Sequence, residues 1–209
     1  MRKHLTALLI GSGAAALALG IGTAAMATTA TTFTVKPGGA VTGTAGKTVL
    51  KDTKTGTVLT CVSSATKANL KKGSGLSGTA LGKITSVTFS TCTGPGGLKF
   101  TATTSASTTH PWHLNATSFS NGVTKGTITL VTASLSGNGC TATVAGTSPT
   151  TTGKTNGSYS NSTHVLTASG GNLHVWNVSA GCLGLINTGD GTTFTGKYTI
   201  SPAQTITSP

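Results

Sequence analysis

Residues 171–182 read Gly171-Asn172-Leu173-His174-Val175-Trp176-Asn177-Val178-Ser179-Ala180-Gly181-Cys182, the densest meeting of apolar, aromatic and cysteine residues in a chain rich in Thr, Gly and Ser. Alternate residues of a strand point to opposite faces, so one face carries Leu173 and Val175 and the other carries His174 and Trp176. Both faces are therefore at least partly covered. The pattern predicts a core strand of a β-sandwich or barrel that ends at a disulfide.

The remainder of the sequence also indicates an all-β fold. Thr, Val and Ile recur in short alternating runs, Glu is absent, and no helical run follows the N-terminal segment. The clearest run outside residues 171–182 is Lys83–Cys92, which again leads into a cysteine and is followed by the turn Thr93–Gly97. We predict ten to twelve short antiparallel strands, arranged as a β-sandwich or a closed barrel with two local disulfides.

Individual elements follow from the same pattern. Ala40–Leu50 is expected to be one strand, and so is Thr124–Ser134. His164–Ser169 and Leu173–Val178 are expected to be two separate strands. The segment Lys67–Lys72 is interpreted as a basic edge, Gly73–Gly78 as a flexible turn, and Gly146–Gly157 as a surface loop.

Residues 1–27 have the pattern of a cleaved secretion signal. Arg2, Lys3 and His4 form the basic start, an apolar run follows, and Ala25-Met26-Ala27 matches a cleavage site. The mature chain, residues 28–209, is expected to be a single all-β domain without a transmembrane segment. The C-terminal sequence contains neither a hydrophobic tail nor a sorting motif. We therefore expect a secreted protein that is either released or loosely associated with the cell wall.

The four cysteines are Cys61, Cys92, Cys140 and Cys182. An even number of cysteines in an exported chain predicts two disulfides, and three pairings are open. We favour Cys61 with Cys92 and Cys140 with Cys182, because each bridge then joins the ends of a local run of strands. A zinc site is disfavoured because no pair of cysteines has the close spacing that zinc sites use.

The chain is strongly basic. It has 14 Lys and Arg against 2 Asp, a formal net charge of +12, which falls to about +10 without Arg2 and Lys3. Such a charge attracts anionic polymers such as those of the cell wall, although it also serves solubility. The mature chain has no Arg, and its lysines are scattered and not interleaved with aromatic residues. Specific nucleic-acid recognition is therefore not expected.

Few residues suit catalysis. Asp52 and Asp190 are the only carboxylates, and both lie in turn sequences far apart in the chain, so we interpret them as structural. No Gly-x-Ser-x-Gly motif is present, and the cysteines are assigned to disulfides. His110 and His113 lack an acidic partner and do not have helical metal-site spacing. We predict no catalytic, cofactor-binding or metal-binding residues.

Four aromatic and histidine residues are candidates for ligand contacts. Trp112 with His113, and His174 with Trp176, are the best candidates for contacts with a small molecule or a glycan, because aromatic faces stack on rings. The competing interpretation is that both tryptophans fill the core.

Several segments resemble a group of small secreted, Thr- and Gly-rich proteins of filamentous high-GC Gram-positive bacteria. The segments are Gly43–Gly46, Gly75–Pro95, Pro111–Ala116, Gly170–Trp176 and Gln204–Pro209. The resemblance implies export and an all-β fold, and it implies no activity. Our first hypothesis is a non-enzymatic secreted or envelope-associated protein with a lysine surface that binds anionic wall polymers. The alternatives are a small-molecule or glycan carrier that uses Trp112 and Trp176, and a protease inhibitor that presents the Thr93–Gly97 loop. A hydrolytic enzyme ranks last.

Overall fold

The computed structural model describes residues 31–209, so the predicted secretion signal at residues 1–27 lies outside the described residues. Strands make up 65% of the described chain, and the only helices in it are two single-turn 3-10 helices at Pro95–Gly97 and Ala180–Cys182. None of the helices in this part is long and apolar enough to cross a membrane. The fifteen strands are β1 (Thr32–Lys36), β2 (Gly39–Ala45), β3 (Thr48–Asp52), β4 (Val58–Leu70), β5 (Gly73–Ser77), β6 (Gly82–Thr93), β7 (Lys99–Thr104), β8 (Trp112–Ser120), β9 (Val123–Val131), β10 (Ala133–Gly137), β11 (Cys140–Ala145), β12 (Gly153–Ser160), β13 (Val165–Trp176), β14 (Gly191–Ser201) and β15 (Thr205–Thr207).

The strands form a closed antiparallel barrel. Pairing runs β4-β6-β8-β9-β12-β13-β14-β2 and returns to β4, which closes a ring of eight strands. The same four long strands, β4, β6, β13 and β14, also close a second circuit through β7, β10, β11 and β3. The second circuit extends the barrel beyond the first ring. The all-β prediction is confirmed, and the structure is a barrel and not a sandwich.

The long strands fix the length of the barrel and the position of its core. β4 has 13 residues, which at about 3.3 Å per residue spans about 40 Å. Buried residues alternate with exposed ones over the second half of β4, so Ser64, Thr66 and Ala68 are buried while Ala65 and Lys67 are exposed. The apolar core therefore lies inside the barrel.

The burial pattern of β13 is the one that its sequence predicts, although the strand ends at Trp176 and not at Val178. Leu173 and Val175 are buried at 3% and 1% exposure, while His174 and Trp176 on the other face are partly covered. The strand joins the two circuits, because its first half pairs with β12 and its last residues pair with β11. Because β13 belongs to both circuits, the side chains on both of its faces pack against other parts of the protein. This explains the dense apolar pattern of its sequence.

A small second sheet, in the order β15-β1-β5, packs at one end of the barrel. Its buried side chains, Phe33, Val35 and Ile206, belong to the same apolar core as Ile200 of β14. The loops around residues 53–57, 94–98 and 183–190 converge at the opposite end, since they line a common cavity or contact one another. We call the end of the barrel that carries the small sheet the sheet end, and the end where these loops converge the loop end.

Both disulfide pairings are confirmed. Cys61 and Cys92 face each other on the paired strands β4 and β6, and their bond crosses that pair. Cys140 begins β11, and it bonds to Cys182 in the 3-10 helix that follows β13. The second bridge therefore holds the loop after β13 against the barrel, at the loop end.

Some predicted elements differ from the structure. Ala40–Leu50 is two strands, because the chain turns at Gly46-Lys47, and Thr124–Ser134 is divided at Thr132. The two strands expected at 164–169 and 173–178 are one continuous strand, β13, with a register shift between Gly170 and Leu173. The described chain has fifteen strands, more than the ten to twelve expected.

Three other expectations are wrong. Gly73–Gly78 is not a flexible turn, since residues 73–77 form β5 and pair with β1. Lys67–Lys72 is not an edge, because residues 67–70 pair with β2 on one side and with β6 on the other. The second half of the expected loop 146–157 is β12. In each case a partner distant in sequence supplies the strand pairing.

Candidate functional site

Charge on the described surface is almost entirely positive. All twelve lysines in residues 31–209 are exposed. The two carboxylates are buried, with 2% exposure for Asp52 and 3% for Asp190. An anionic partner therefore meets ammonium groups without competing side-chain carboxylates.

Five of these lysines meet at the sheet end, and we call them the basic corner. Lys67, Asn69 and Lys71 follow one another on the outward face of β4 and the residue after it. Lys83 on β6 lies directly opposite Asn69. Diagonal neighbours across a strand pair are about 7–8 Å apart, and the Lys71 N–H donates to the Leu81 carbonyl, so Lys83 lies at about that distance from Lys71. A register shift between Lys67 and Ala68 places Lys67 opposite Ser86, so Lys67 lies farther from Lys83 on the same strand pair.

Lys36 and Lys72 complete the basic corner. Val35 pairs with Gly73, which brings Lys36 at the end of β1 next to Lys72, the residue before β5. The turn after Lys36 packs closely on the same segment, because a Cβ built on Gly38 would lie 2.8 Å from the Cβ of Lys72. Gly38 has φ of +72°, so its glycine satisfies both the turn and the close approach.

Buried hydrogen bonds hold this corner in place. The side chain of Gln204, 1% exposed, accepts a hydrogen bond from the Gly38 backbone N–H at 2.9 Å through Oε1. Its Nε2 donates to the Pro202 carbonyl at 3.0 Å. On the surface, Lys71 Nζ donates to the Thr79 carbonyl at 3.0 Å. The backbone that carries the lysines is thus fixed by the fold and does not depend on a ligand.

The carboxylates lie at the other end of the barrel. Lys51, the residue before Asp52, pairs with Val58 at the start of β4, whereas the basic corner lies at the end of β4. The separation along the strand is about 30 Å to Lys67 and about 40 Å to the end of β4. This distance is several Debye lengths at physiological ionic strength, about 8 Å each, so neither carboxylate offsets the field of the corner.

The structure supports the interpretation of Asp52 and Asp190 as turn residues. Asp52 Oδ1 accepts backbone N–H bonds from Lys54 and Thr55, both at 2.8 Å. Asp190 Oδ2 accepts from the backbone N–H and the side-chain Nδ2 of Asn187, at 2.9 and 3.0 Å. Both carboxylates thus organise the loops in which they lie.

The two loops nevertheless converge, despite their distance in sequence. The Thr53 N–H donates to the Gly191 carbonyl at 2.8 Å, and Lys54 Nζ lies 3.5 Å from Asp190 Oδ1. Burial by itself raises the pKa of the Asp190 carboxyl. The hydrogen bonds from Asn187 and the Lys54 ammonium outweigh this effect, and the pKa lies below its ordinary value. Asp190 is therefore held ionised as a structural acceptor.

The aromatic and histidine candidates do not form one surface. Trp112 is 8% exposed inside the barrel, and its Nε1 donates to Ser105 Oγ at 3.1 Å. Trp176 is partly exposed on β13, with its ring 6.3 Å from that of His174 and its Nε1 bonded to the Gly146 carbonyl. Strands β8 and β13 are not neighbours in the sheet. The core interpretation applies to Trp112.

His113 has a different position. It is partly exposed on β8, directly opposite Lys83 of the basic corner. His110 is exposed in the preceding loop and contacts Thr109 Oγ1 at 3.0 Å through Nδ1. Within residues 31–209, no three His, Cys, Asp or Glu side chains group as metal ligands would.

The lysines are scattered along the sequence, but strand pairing places five of them at one end of the barrel. The available clue was the spacing of Lys67 and Lys71 on one face of a strand. The missing information was that β6 pairs with β4 in the register that sets Lys83 opposite Asn69. No protein-family model, curated protein or solved structure matches this chain.

Proposed function

We propose that this protein is a non-enzymatic, secreted or envelope-associated β-barrel whose basic corner binds anionic polymers of the cell wall. The observation that carries the proposal is the separation of charge in the described chain. Every lysine is exposed, both carboxylates are buried, and five lysines meet where no carboxylate is near. A surface of this kind attracts polyanions through summed charge.

The chemistry of the corner favours a polymer over a single small anion. Its five ammonium groups are carried on long side chains on an outward face. Lys acts as a hydrated point charge, whereas Arg binds phosphate through a planar fork, and the described chain has no Arg. Repeated anionic groups can engage several such lysines at once. Wall polyphosphates of the teichoic type fit this requirement.

The position of the carboxylates supports a non-enzymatic role. Asp52 and Asp190 both accept hydrogen bonds from their own loops, and the side chain close to Asp190 is a lysine. General acid–base chemistry by a pair of carboxylates requires them to face a substrate with shifted pKa values that suit proton transfer. The lowered pKa of Asp190 suits a fixed anion better than a proton donor.

The direct test uses long-chain inorganic polyphosphate as the probe. A variant with Lys36, Lys67, Lys71, Lys72 and Lys83 all changed to Gln is compared with one in which Lys47, Lys51, Lys99, Lys125 and Lys197 are changed to Gln. The two variants lose the same charge. We expect the corner variant to lose affinity by about a hundredfold or more at 0.15 M salt, from the counterions that five contacts release.

The control variant is expected to bind within a few-fold of wild type. Equal losses in the two variants would show that net charge alone attracts the polymer and that the corner is not a site. Undetectable binding of the wild type at low salt would remove the proposal. Fractionation of producing cells in low- and high-salt buffer tests the location, since protein found only in the medium in both buffers contradicts association with the envelope.

A further inference from the structure

The barrel interior contains three cavities that follow one another from the sheet end to the loop end. Their volumes are about 90 Å³, 90 Å³ and 40 Å³. The first and second share the side chains of Thr66, Ile84, Ile128 and Leu166, and the second and third share Leu50, Leu59 and Leu135. Adjacent cavities are thus separated by single layers of side chains.

The walls of the first two cavities are made almost entirely of carbon atoms. Polar side chains nearby direct their polar atoms into the protein. Tyr198 Oη bonds to Ser64 Oγ at 2.9 Å, and Thr66 Oγ1 donates to the Ser86 carbonyl at 2.9 Å. The hydroxyls of Thr48 and Thr124 have no partner, but both are covered by neighbouring atoms. A molecule in these cavities finds no exposed hydrogen-bonding group.

This chemistry restricts the ligand. A sugar would lose the hydrogen bonds that its hydroxyls make with water and would gain none in return, which costs several kcal/mol for each group. A neutral hydrocarbon loses nothing of that kind and gains contact with the wall. The interior therefore excludes glycans and suits apolar molecules.

We propose that the first and second cavities form a binding site for a compact neutral hydrocarbon up to about the size of benzene. An apolar engineered cavity of about 150 Å³ stays dry and binds benzene. Each cavity here is smaller than that, but the two are separated by side chains that include Leu166, which is only partly buried. A different rotamer of Leu166 would join the two spaces. The site is independent of the basic corner, which lies on the outer surface.

Benzene and phenol are the probes, because they differ by one hydroxyl. Binding is followed by the rise in melting temperature and by the fluorescence of Trp112, which lines the second cavity. A Trp176→Phe background removes the other tryptophan. We expect benzene to raise the melting temperature, and phenol to bind at least about tenfold more weakly, since its hydroxyl would lack a partner.

Two variants locate the site. Ala133→Leu adds a larger side chain to the wall of the second cavity, whereas Ala65→Leu makes the same change at an exposed position on β4. We expect the first to weaken benzene binding at least tenfold and the second to leave it unchanged. If Ala133→Leu does not fold, Ala102→Leu fills the same cavity.

Three results would overturn the inference. They are no response of the wild type to benzene, equal binding of benzene and phenol, and equal binding of benzene by the filled and control variants. None of them bears on the binding of polyphosphate, so the two proposals fail separately.

Discussion

Removing the Cys140–Cys182 disulfide should destabilise the protein by about 4 kcal/mol. The bridge joins residues 42 apart, and the loss of loop entropy in the unfolded chain for a loop of that length corresponds to about 4 kcal/mol at 25 °C. Most domains have only about 5–15 kcal/mol of total stability. For a chain of this size, each kcal/mol lowers the melting temperature by roughly 2–4 °C, so we expect a fall of roughly 8–16 °C.

The structure also predicts which part of the protein loses stability first when the Cys140–Cys182 disulfide is removed. Cys182 lies in the loop after β13, which otherwise contacts the start of β11 through Ser179, whose Oγ donates to the Gly139 carbonyl at 3.2 Å and accepts from the Thr141 N–H at 2.9 Å. Cys61–Cys92, in contrast, links two strands that are already paired along most of their length. Loss of the second bridge should therefore expose the loop end to hydrogen exchange before the barrel unfolds.

The assay is urea unfolding of Cys140→Ala/Cys182→Ala, followed by tryptophan fluorescence and circular dichroism, with hydrogen exchange on the folded variant. The Cys61→Ala/Cys92→Ala variant is the comparison, with a similar expected loss of stability for its separation of 31 residues. A loss below about 1 kcal/mol for the Cys140/Cys182 variant would refute the entropic argument. Hydrogen exchange that increases equally in all strands would refute the prediction that the loop end opens before the barrel.

Two further predictions concern single residues. Asp190→Asn should cost about 1–3 kcal/mol at pH 7, because donors that face the carboxylate lose an acceptor. The folded-state pKa of Asp190 lies below its unfolded value, so the stability that the ionised carboxylate contributes is present above the unfolded pKa and is lost as pH falls through the folded pKa. Between about pH 5 and 2, the free energy of unfolding should therefore change less with pH in the variant than in the wild type. Gly171→Ala should destabilise by more than Gly56→Ala in urea unfolding. Both glycines have positive φ, but a methyl group on Gly171 would strike the Lys154 carbonyl oxygen, whereas Gly56 has open space. Equal losses would contradict this account.

The fold class and the disulfides could be predicted because they depend on local pattern. The alternation of apolar residues from Leu173 to Trp176 predicts which side chains are buried, and each disulfide joins two cysteines of the same half of the chain. One sequence pattern has no unique structural meaning. Gly170-Gly171 is typical of a turn, but here it forms an irregularity within β13 where Gly171 packs on β12.

Elements that depend on distant partners could not be predicted. Gly73–Ser77 has little β propensity, and it becomes a strand because β1 lies beside it. The basic corner depends in the same way on the register of β4 with β6 and of β1 with β5. A shift of one residue would turn Lys83 towards the interior. Sequence spacing therefore indicated a basic protein but could not locate its concentrated charge.

The central claim is that the five lysines of the corner act together on a polyanion. Its most direct test is the affinity of the wild-type protein for long-chain polyphosphate as a function of salt concentration. With about 0.7 counterion released for each lysine engaged, as for a single-stranded nucleic acid, log K should fall against log salt with a slope of about −3.5. A slope near zero, or the same slope after the five corner lysines are changed to Gln, would contradict the claim.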